Sequence, residues 1–162
     1  MVVWIGLAPD LDGLGLIVDF AVRLFGLPET TYYQDYHRVY GHGLPAALVF
    51  SAVVFACAHH RVRAAIAAFV SVHLHFACDL LGSRGGDPED IWPIPYLSPF
   101  SDALTIAWSG QWELVSWQNT LITAVLLAMA AFMALRSGYS PVSFFSTKAD
   151  AAVVATLRAR FK

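Results

Sequence analysis

The stretch His73-Leu-His75-Phe-Ala-Cys-Asp79 constrains this chain more than any other. It sets ionisable groups inside an apolar run, Ala64 to Leu81, that is long enough to lie in a bilayer. Histidine and aspartate are costly there, so they are read first as functional. On a helix His75 and Asp79 are four residues apart and stack on one face, where an imidazole and a carboxylate can converge on one ion. His73 lies two residues before His75, about 200° round the helix, and is predicted to face a different neighbour.

Composition supports a membrane setting. Of 162 residues, 57% are hydrophobic and 14% charged, whereas an ordinary soluble domain runs at about half and a quarter. The expectation is one integral membrane domain over residues 1–142, followed by an amphipathic basic tail over 143–162. A net charge of −2 gives no basic footprint, so nucleic acid is not an expected partner. Cys57 and Cys78 each sit in an apolar segment without a CxxC spacing, which predicts buried free thiols. The first residues lack the basic region of a cleavable signal peptide, so the chain is read as mature from Met1.

Taken in order, Met1 to Leu7 is a short apolar lead-in that stops at Ala8-Pro9-Asp10-Leu11-Asp12-Gly13. Pro and Gly force a turn there, and a DxDG turn can either hold a cation or simply be solvated. Leu14 to Phe25 reads as an amphipathic or re-entrant helix with an Asp19–Arg23 pair at i, i+4. Thr31-Tyr-Tyr-Gln34 has the form of a capping box, predicting a short helix through Tyr40 with Gly41 at its C-terminal cap. Tyr32, Tyr33, Tyr36 and Tyr40 crowd it, as at a membrane–water boundary. His37 and His42 are five apart and could share an ion only if Gly41 breaks the helix between them; otherwise they are interfacial histidines.

Leu44 to Ala58 is the next apolar run, with Pro45 in its first turn, and it ends at His59-His60-Arg61-Val-Arg63, read as a solvated loop. After the organising span, residues 82–90 open a polar loop in which Arg84 stands next to two glycines. That arginine could bind an anion or be an ordinary loop residue. Ile91 to Ser101 is rich in Pro and aromatics, which rules out a regular helix and predicts an ordered cover. Leu121 to Leu135 is the last clear span, and a surface helix with late cations Arg158, Arg160 and Lys162 closes the chain. The cations after two of the spans put both ends in the cytoplasm. His37, His42 and Asp79 then share the opposite face, the periplasmic side of a bacterial inner membrane.

The elements APDLDG, YHRVYGH, HFACD and the later WP and SPFS occur in the order and with the character of the YdjM-type family, membrane-bound proteins described as metal-dependent hydrolases. The chain resembles that family from Ala8 to about Ser101. Carried over by position, the resemblance implies Asp10, Asp12, His37, His42, His75 and Asp79 as metal ligands, and it leaves His73 out. Three imidazoles and three carboxylates suit zinc first, with manganese or iron next. One or two ions held there would acidify a water for attack on a phosphoester or other ester of a membrane-associated, head-group or lipid-linked substrate. Asp10 or Asp12 would accept a proton, and Arg38 would pair with a phosphate oxygen.

Two other classes share these features. A small transporter or proton relay also buries His and Asp, and a non-catalytic scaffold could use one metal to tie the N-terminal turn to two helices. The fold expected is all-α: a polytopic helical bundle of three spans plus an N-terminal apolar pair, with interfacial or re-entrant N-terminal helices and a polar ligand cluster near one membrane face.

Overall fold

Two runs of helix-forming, mostly apolar residues become the longest elements of the chain. A computed structural model describes residues 2–161, with the side chains of residues 4–161. Met1, at the head of the expected lead-in, and Lys162, the last expected cation of the tail, lie outside the described residues. The helices are α1 (Val2–Ile5), α2 (Gly15–Leu24), α3 (Tyr32–Tyr36), α4 (Leu44–Cys57), α5 (Arg61–Gly82), α6 (Trp117–Ser137) and α7 (Thr147–Phe161). Short 3₁₀ segments occupy Pro9–Leu14 and Pro141–Phe144, and a two-residue antiparallel pair joins β1 (Ile94–Pro95) to β2 (Thr105–Ile106).

Among the described residues, α5 and α6 are long and apolar enough to cross a membrane. Three spans were expected. The third, α4, has 14 residues, about 21 Å at 1.5 Å per residue against a hydrocarbon core of about 30 Å. The chain divides into two compact units, Met1–Leu114 and Val115–Lys162.

In the first unit α4 packs on α5. Ala47, Ser51 and Val54 of α4 and Ala68, Val72 and Phe76 of α5 are buried at helical spacing, so each helix turns one narrow stripe to the other. Alanine on the stripe lets the backbones approach, which matters in lipid, where packing rather than loss of water drives association. Leucine in place of Ala47 or Ala68 would overfill the contact at a cost of about 1–3 kcal/mol. Ser51 Oγ donates to the Ala47 carbonyl at 2.7 Å, so the stripe hides no unpaired hydroxyl. Ile94 of β1 closes the cluster around Ala47, Val72 and Phe76. The Tyr96 carbonyl accepts the Leu44 amide at 2.7 Å, which anchors the start of α4 under the 91–106 segment. That segment is the ordered non-helical cover its prolines predicted. Cys57 and Cys78 are free, as expected, but exposed: they sit off the packed stripes, on the outward faces of their helices.

The N-terminal pieces depart from expectation. The residue preceding α3 is Thr31, but its side chain makes no cap hydrogen bond; its hydroxyl donates to Asp35 instead. The cap comes from outside the helix: Asp19 on α2 accepts the amides of Tyr32 and Tyr33 at 3.0 and 2.8 Å and the Thr30 hydroxyl at 2.6 Å. Asp19 is therefore committed to these donors and feels Arg23 only as a nearby charge, while Arg23 Nε lies 3.8 Å from Glu29. The helix expected to run to Tyr40 ends at Tyr36, for a reason that lies in the site.

The second unit is simpler. Gly138 adopts φ +80° and returns its amide to Ala134, ending α6 as a left-handed cap. Asp150 of α7 accepts the Ser140 amide and hydroxyl at 2.7 and 2.6 Å, which fixes the corner between α6 and α7. Around α6 the apolar side chains stand outward: Leu121, Leu126, Leu127, Met129, Phe132 and Met133 are each more than half exposed, as a lipid-facing helix requires.

Candidate metal site

The site is built on a turn that one aspartate organises. Asp12, on the 3₁₀ segment Pro9–Leu14, accepts four donors from residues 37–42. Its Oδ1 takes His37 Nδ1 at 3.0 Å. Its Oδ2 takes the Arg38 amide at 2.9 Å, the Gly41 amide at 2.8 Å and His42 Nδ1 at 3.3 Å. These amides cannot also serve a helix, so α3 stops. The break falls at His37 and Arg38 rather than at Gly41: His37 is extended and Arg38 has φ +72°, a left-handed conformation a non-glycine residue holds only where its surroundings demand it. Gly41 is required for closeness instead, since a Cβ there would fall on the Pro9 carbonyl.

Because a carboxylate only accepts, both Nδ1 atoms carry protons, which leaves the Nε2 electron pair of His42 facing the other way. His42 is fully buried, with its Nε2 turned toward α5. Around that nitrogen three further ligand atoms gather. His75 Nε2 lies 3.3 Å away, Asp79 Oδ2 3.2 Å and Asp10 Oδ1 3.8 Å. His75 Nε2 is itself 3.3 Å from Asp10 Oδ1 and 3.4 Å from Asp79 Oδ2.

These separations can be tested against an ion. Bonds of about 2.0–2.1 Å at tetrahedral angles put neighbouring ligand atoms about 3.3 Å apart. His42, His75 and Asp79 meet that spacing among themselves, at 3.2 to 3.4 Å, and Asp10 meets it toward His75 at 3.3 Å while standing 3.8 Å from His42. The donors are two imidazoles and two carboxylates, a set that could hold a metal ion. A second grouping, Asp12 with His37 and His42, is close enough to hold an ion. Its carboxylate, however, already takes four N–H donors, so it acts as a clamp on the imidazoles.

The electrostatics follow. Burial pushes the Asp12 carboxyl up, but the hydrogen bonds from His37, His42 and Gly41 outweigh it and hold Asp12 ionised well below the usual carboxylate range. Burial pushes His42 down, and without an ion the hydrogen bonds of the protonated ring, from Nδ1 to Asp12 and from Nε2 to Asp79, overcome that and raise it. Concentrated negative charge of this kind is what a cation would answer.

All six residues implied as ligands lie in this region. Asp10, His42, His75 and Asp79 share one corner; Asp12 and His37 stand behind it, His37 stacked on Tyr33 at 4.6 Å between ring centroids. Arg38 is buried, its guanidinium 4.6 Å over the Trp92 ring, with NH1 donating to the Trp92 carbonyl at 3.1 Å and NH2 3.8 Å from Asp79. His73 turns away as its helical phase predicted. Its Nδ1 donates to the Phe69 carbonyl at 2.8 Å, so its Nε2 accepts from Tyr96 Oη at 2.9 Å. His59 and His60 lie in an exposed turn.

Three supporting residues escaped the sequence. Ser83 donates to Asp79 Oδ1 at 3.2 Å, and its i+4 spacing from Asp79 was a usable signal. Trp92 and Gln111 form a closed pair: the Trp92 amide donates to Gln111 Oε1 at 3.0 Å, and Gln111 Nε2 donates to the Trp92 carbonyl at 2.8 Å. Nothing local marks a lone glutamine 19 residues downstream as the residue that sets a tryptophan under Arg38.

A family model described as "YdjM inner membrane protein" matches residues 1–157. No curated protein and no solved structure matches the chain.

Proposed function

The chain belongs to the YdjM inner membrane protein family, and from that premise we propose that it is a membrane-bound, metal-dependent hydrolase of an ester, phosphoester or other, carried by a membrane-associated substrate. The observation that carries the reading is the convergence of Asp10, His42, His75 and Asp79 from three separate elements at ligand spacing. A divalent ion bound there, zinc by donor chemistry with manganese or iron next, would supply a Lewis acid that acidifies water and polarises an ester oxygen.

The residues divide the remaining work. Asp12 fixes the tautomer and tilt of His37 and His42, and Ser83 does the same for Asp79. Asp10 is 55% exposed and is the carboxylate most open to solvent; it would serve as the proton acceptor where the ion is held by His42, His75 and Asp79 without it. Arg38, packed on Trp92, sets a fixed positive charge beside Asp79.

Placement in a multi-pass inner-membrane protein fits α5. Arg61 and Arg63 open that helix and Asp79 lies near its other end, about 27 Å along the axis, so a cytoplasmic basic end supports a periplasmic cluster. The exposed rings of Tyr32, Tyr36 and Tyr40, stacked at 5.9 and 6.0 Å, suit the headgroup level close by.

Metal content of detergent-purified protein tests the reading, with His75→Ala and Asp79→Ala beside the wild type. About one or two ions in the wild type, lost from both folded variants, is the expected result, and a screen of phosphoesters and acyl esters follows from it. A wild type that stays metal-free when zinc and manganese are supplied ends the hydrolase reading. A chain that melts when its metal is chelated, and turns over no ester, is the scaffold instead.

A further inference from the structure

Beside the ligand cluster lies a cleft of about 530 Å³, lined by Asp10, Asp79, Arg38 and Arg84 together with Leu16 and Ile17 of α2. Arg84 is held from both sides of its peptide. Its amide donates to the Trp112 carbonyl at 3.2 Å, and its own carbonyl accepts the Leu114 amide at 2.9 Å. Its Nε donates to the Gln111 carbonyl at 3.1 Å, while Nη1 is buried with no hydrogen-bond partner. Arg38, only 7% exposed, likewise leaves its Nε without one. Buried guanidinium N–H groups without acceptors leave both arginines incompletely paired, and both line this one cleft, so an anion seated there would answer two positive charges.

The charges point the same way. With the imidazoles neutral, as ligands to an ion are, the carboxylates Asp10, Asp12 and Asp79 against the guanidinium groups of Arg38 and Arg84 leave one net negative charge, which a divalent ion converts to one net positive charge. A carboxylic ester is neutral and has no use for that charge or for two guanidinium groups. A phosphate ester uses both, since Arg pairs with phosphate oxygens through two parallel hydrogen bonds. Leu16 and Ile17, 57% and 64% exposed on the same cleft, offer an apolar wall that a small soluble phosphate would not fill.

Resting on the hydrolase reading above, we propose that the substrate is a phosphate monoester on an apolar chain, a lipid phosphate, whose phosphate group is bound by Arg84 together with Arg38. In the reaction the oxygen of water bonds to phosphorus and the bond from phosphorus to the ester oxygen breaks. One water proton ends on the alcohol oxygen and the other stays with the phosphate, so the products are the alcohol and inorganic phosphate.

The test uses the full chain in phosphatidylcholine nanodiscs, before and after loading with zinc. Tryptophan fluorescence titrations with dodecyl phosphate and with inorganic phosphate give binding without turnover; phosphate release from dodecyl phosphate, and cleavage of dodecanoyl p-nitrophenyl ester, give turnover. The wild type should bind dodecyl phosphate at least tenfold more tightly than inorganic phosphate. Arg84→Gln should weaken dodecyl phosphate binding and raise its KM tenfold or more, with metal content unchanged. Arg84→Lys, which keeps the charge but not the fork, should fall between them, and it serves in place of Arg84→Gln if that variant does not fold. Equal affinity in wild type and variant overturns the role of Arg84, and inorganic phosphate binding as tightly as dodecyl phosphate overturns the apolar chain. A wild type that holds metal and cleaves only the carboxylic ester overturns this proposal while the hydrolase reading stands; a wild type without metal or turnover fails at the earlier step.

Discussion

The two edges of the His42 ring face aspartates of the same turn, and the two surroundings are opposites. At Nδ1, Asp12 is buried and both its oxygens are taken by N–H donors. At Nε2, Asp10, His75 and Asp79 crowd together, their ligand atoms 3.2 to 3.8 Å from it or from one another. Two residues apart on a 3₁₀ segment, Asp10 and Asp12 point about 240° from one another, which is how one turn grips both edges of a ring. Residue type therefore does not separate structure from function here; donor saturation does. A carboxylate with all its acceptor capacity used holds the chain in shape, and one facing other ligands has capacity left for an ion.

The sharpest way to break that contrast is to remove each side in turn. Asp12→Ala should have the larger effect. It orphans two buried amides and two imidazole N–H groups, each costing about 1–3 kcal/mol when unpaired, so the loss should be about 3 kcal/mol or more and the fold should fail with the site. Thermal melts in detergent would show it. An Asp12→Ala protein that melts like wild type and lacks only metal would put Asp12 on the same footing as Asp10. His75→Ala should do the reverse, leaving the melt nearly unchanged while metal affinity falls by more than about 100-fold, beyond what loss of an outer partner costs.

Ser83 stands between these extremes. Its hydroxyl touches only the far oxygen of Asp79, so Ser83→Ala should lower metal affinity by about tenfold with the fold intact. Competition with a chelator of known affinity reads that difference. No change would mean that Asp79 is oriented by α5 alone.

How much of this was legible follows the same division. His75 and Asp79 were readable because a helix turns spacing into direction, and the same arithmetic sent His73 to Phe69 and Tyr96. The spans were readable from apolar length, although the extent of α4 shows that an apolar run does not fix a helix long enough to cross. His37 and His42 were harder, because their meeting depends on a turn whose geometry is dictated from 25–30 residues away by Asp12. Local patterns misled where a distant carboxylate outbid them: Thr31 has the sequence of a cap, but Asp19 makes the cap. Gln111 reaches Trp92 through contacts of the 82–114 loop, which leave no periodic trace in sequence.

Asp19 extends the contrast to a carboxylate with no histidine near it among its hydrogen-bond partners, and it gives the smallest effect. Its oxygens are saturated like those of Asp12, so it should be purely structural and its influence local to α3. The Thr30 hydroxyl first, then the Tyr33 amide, with burial opposing and the Tyr32 amide and Arg23 adding, hold its carboxyl below the ordinary aspartate value. A carboxyl depressed in the fold contributes stability that is fully present above its unfolded value of about 4 and is lost as pH falls through the folded value below that. The protection factors of the Tyr32 and Tyr33 amides, exchange rates divided into the intrinsic rates at each pH, should therefore be level from neutrality down to about pH 4 and should fall below it. In Asp19→Asn the same amides should be less protected at neutral pH and lose that acid step, with metal content untouched, because Asp19 reaches none of the four ligand atoms. An acid step that survives in Asp19→Asn would trace the loss of α3 to protonation of the Asp12 hub, and the turn would then be held from the site side alone.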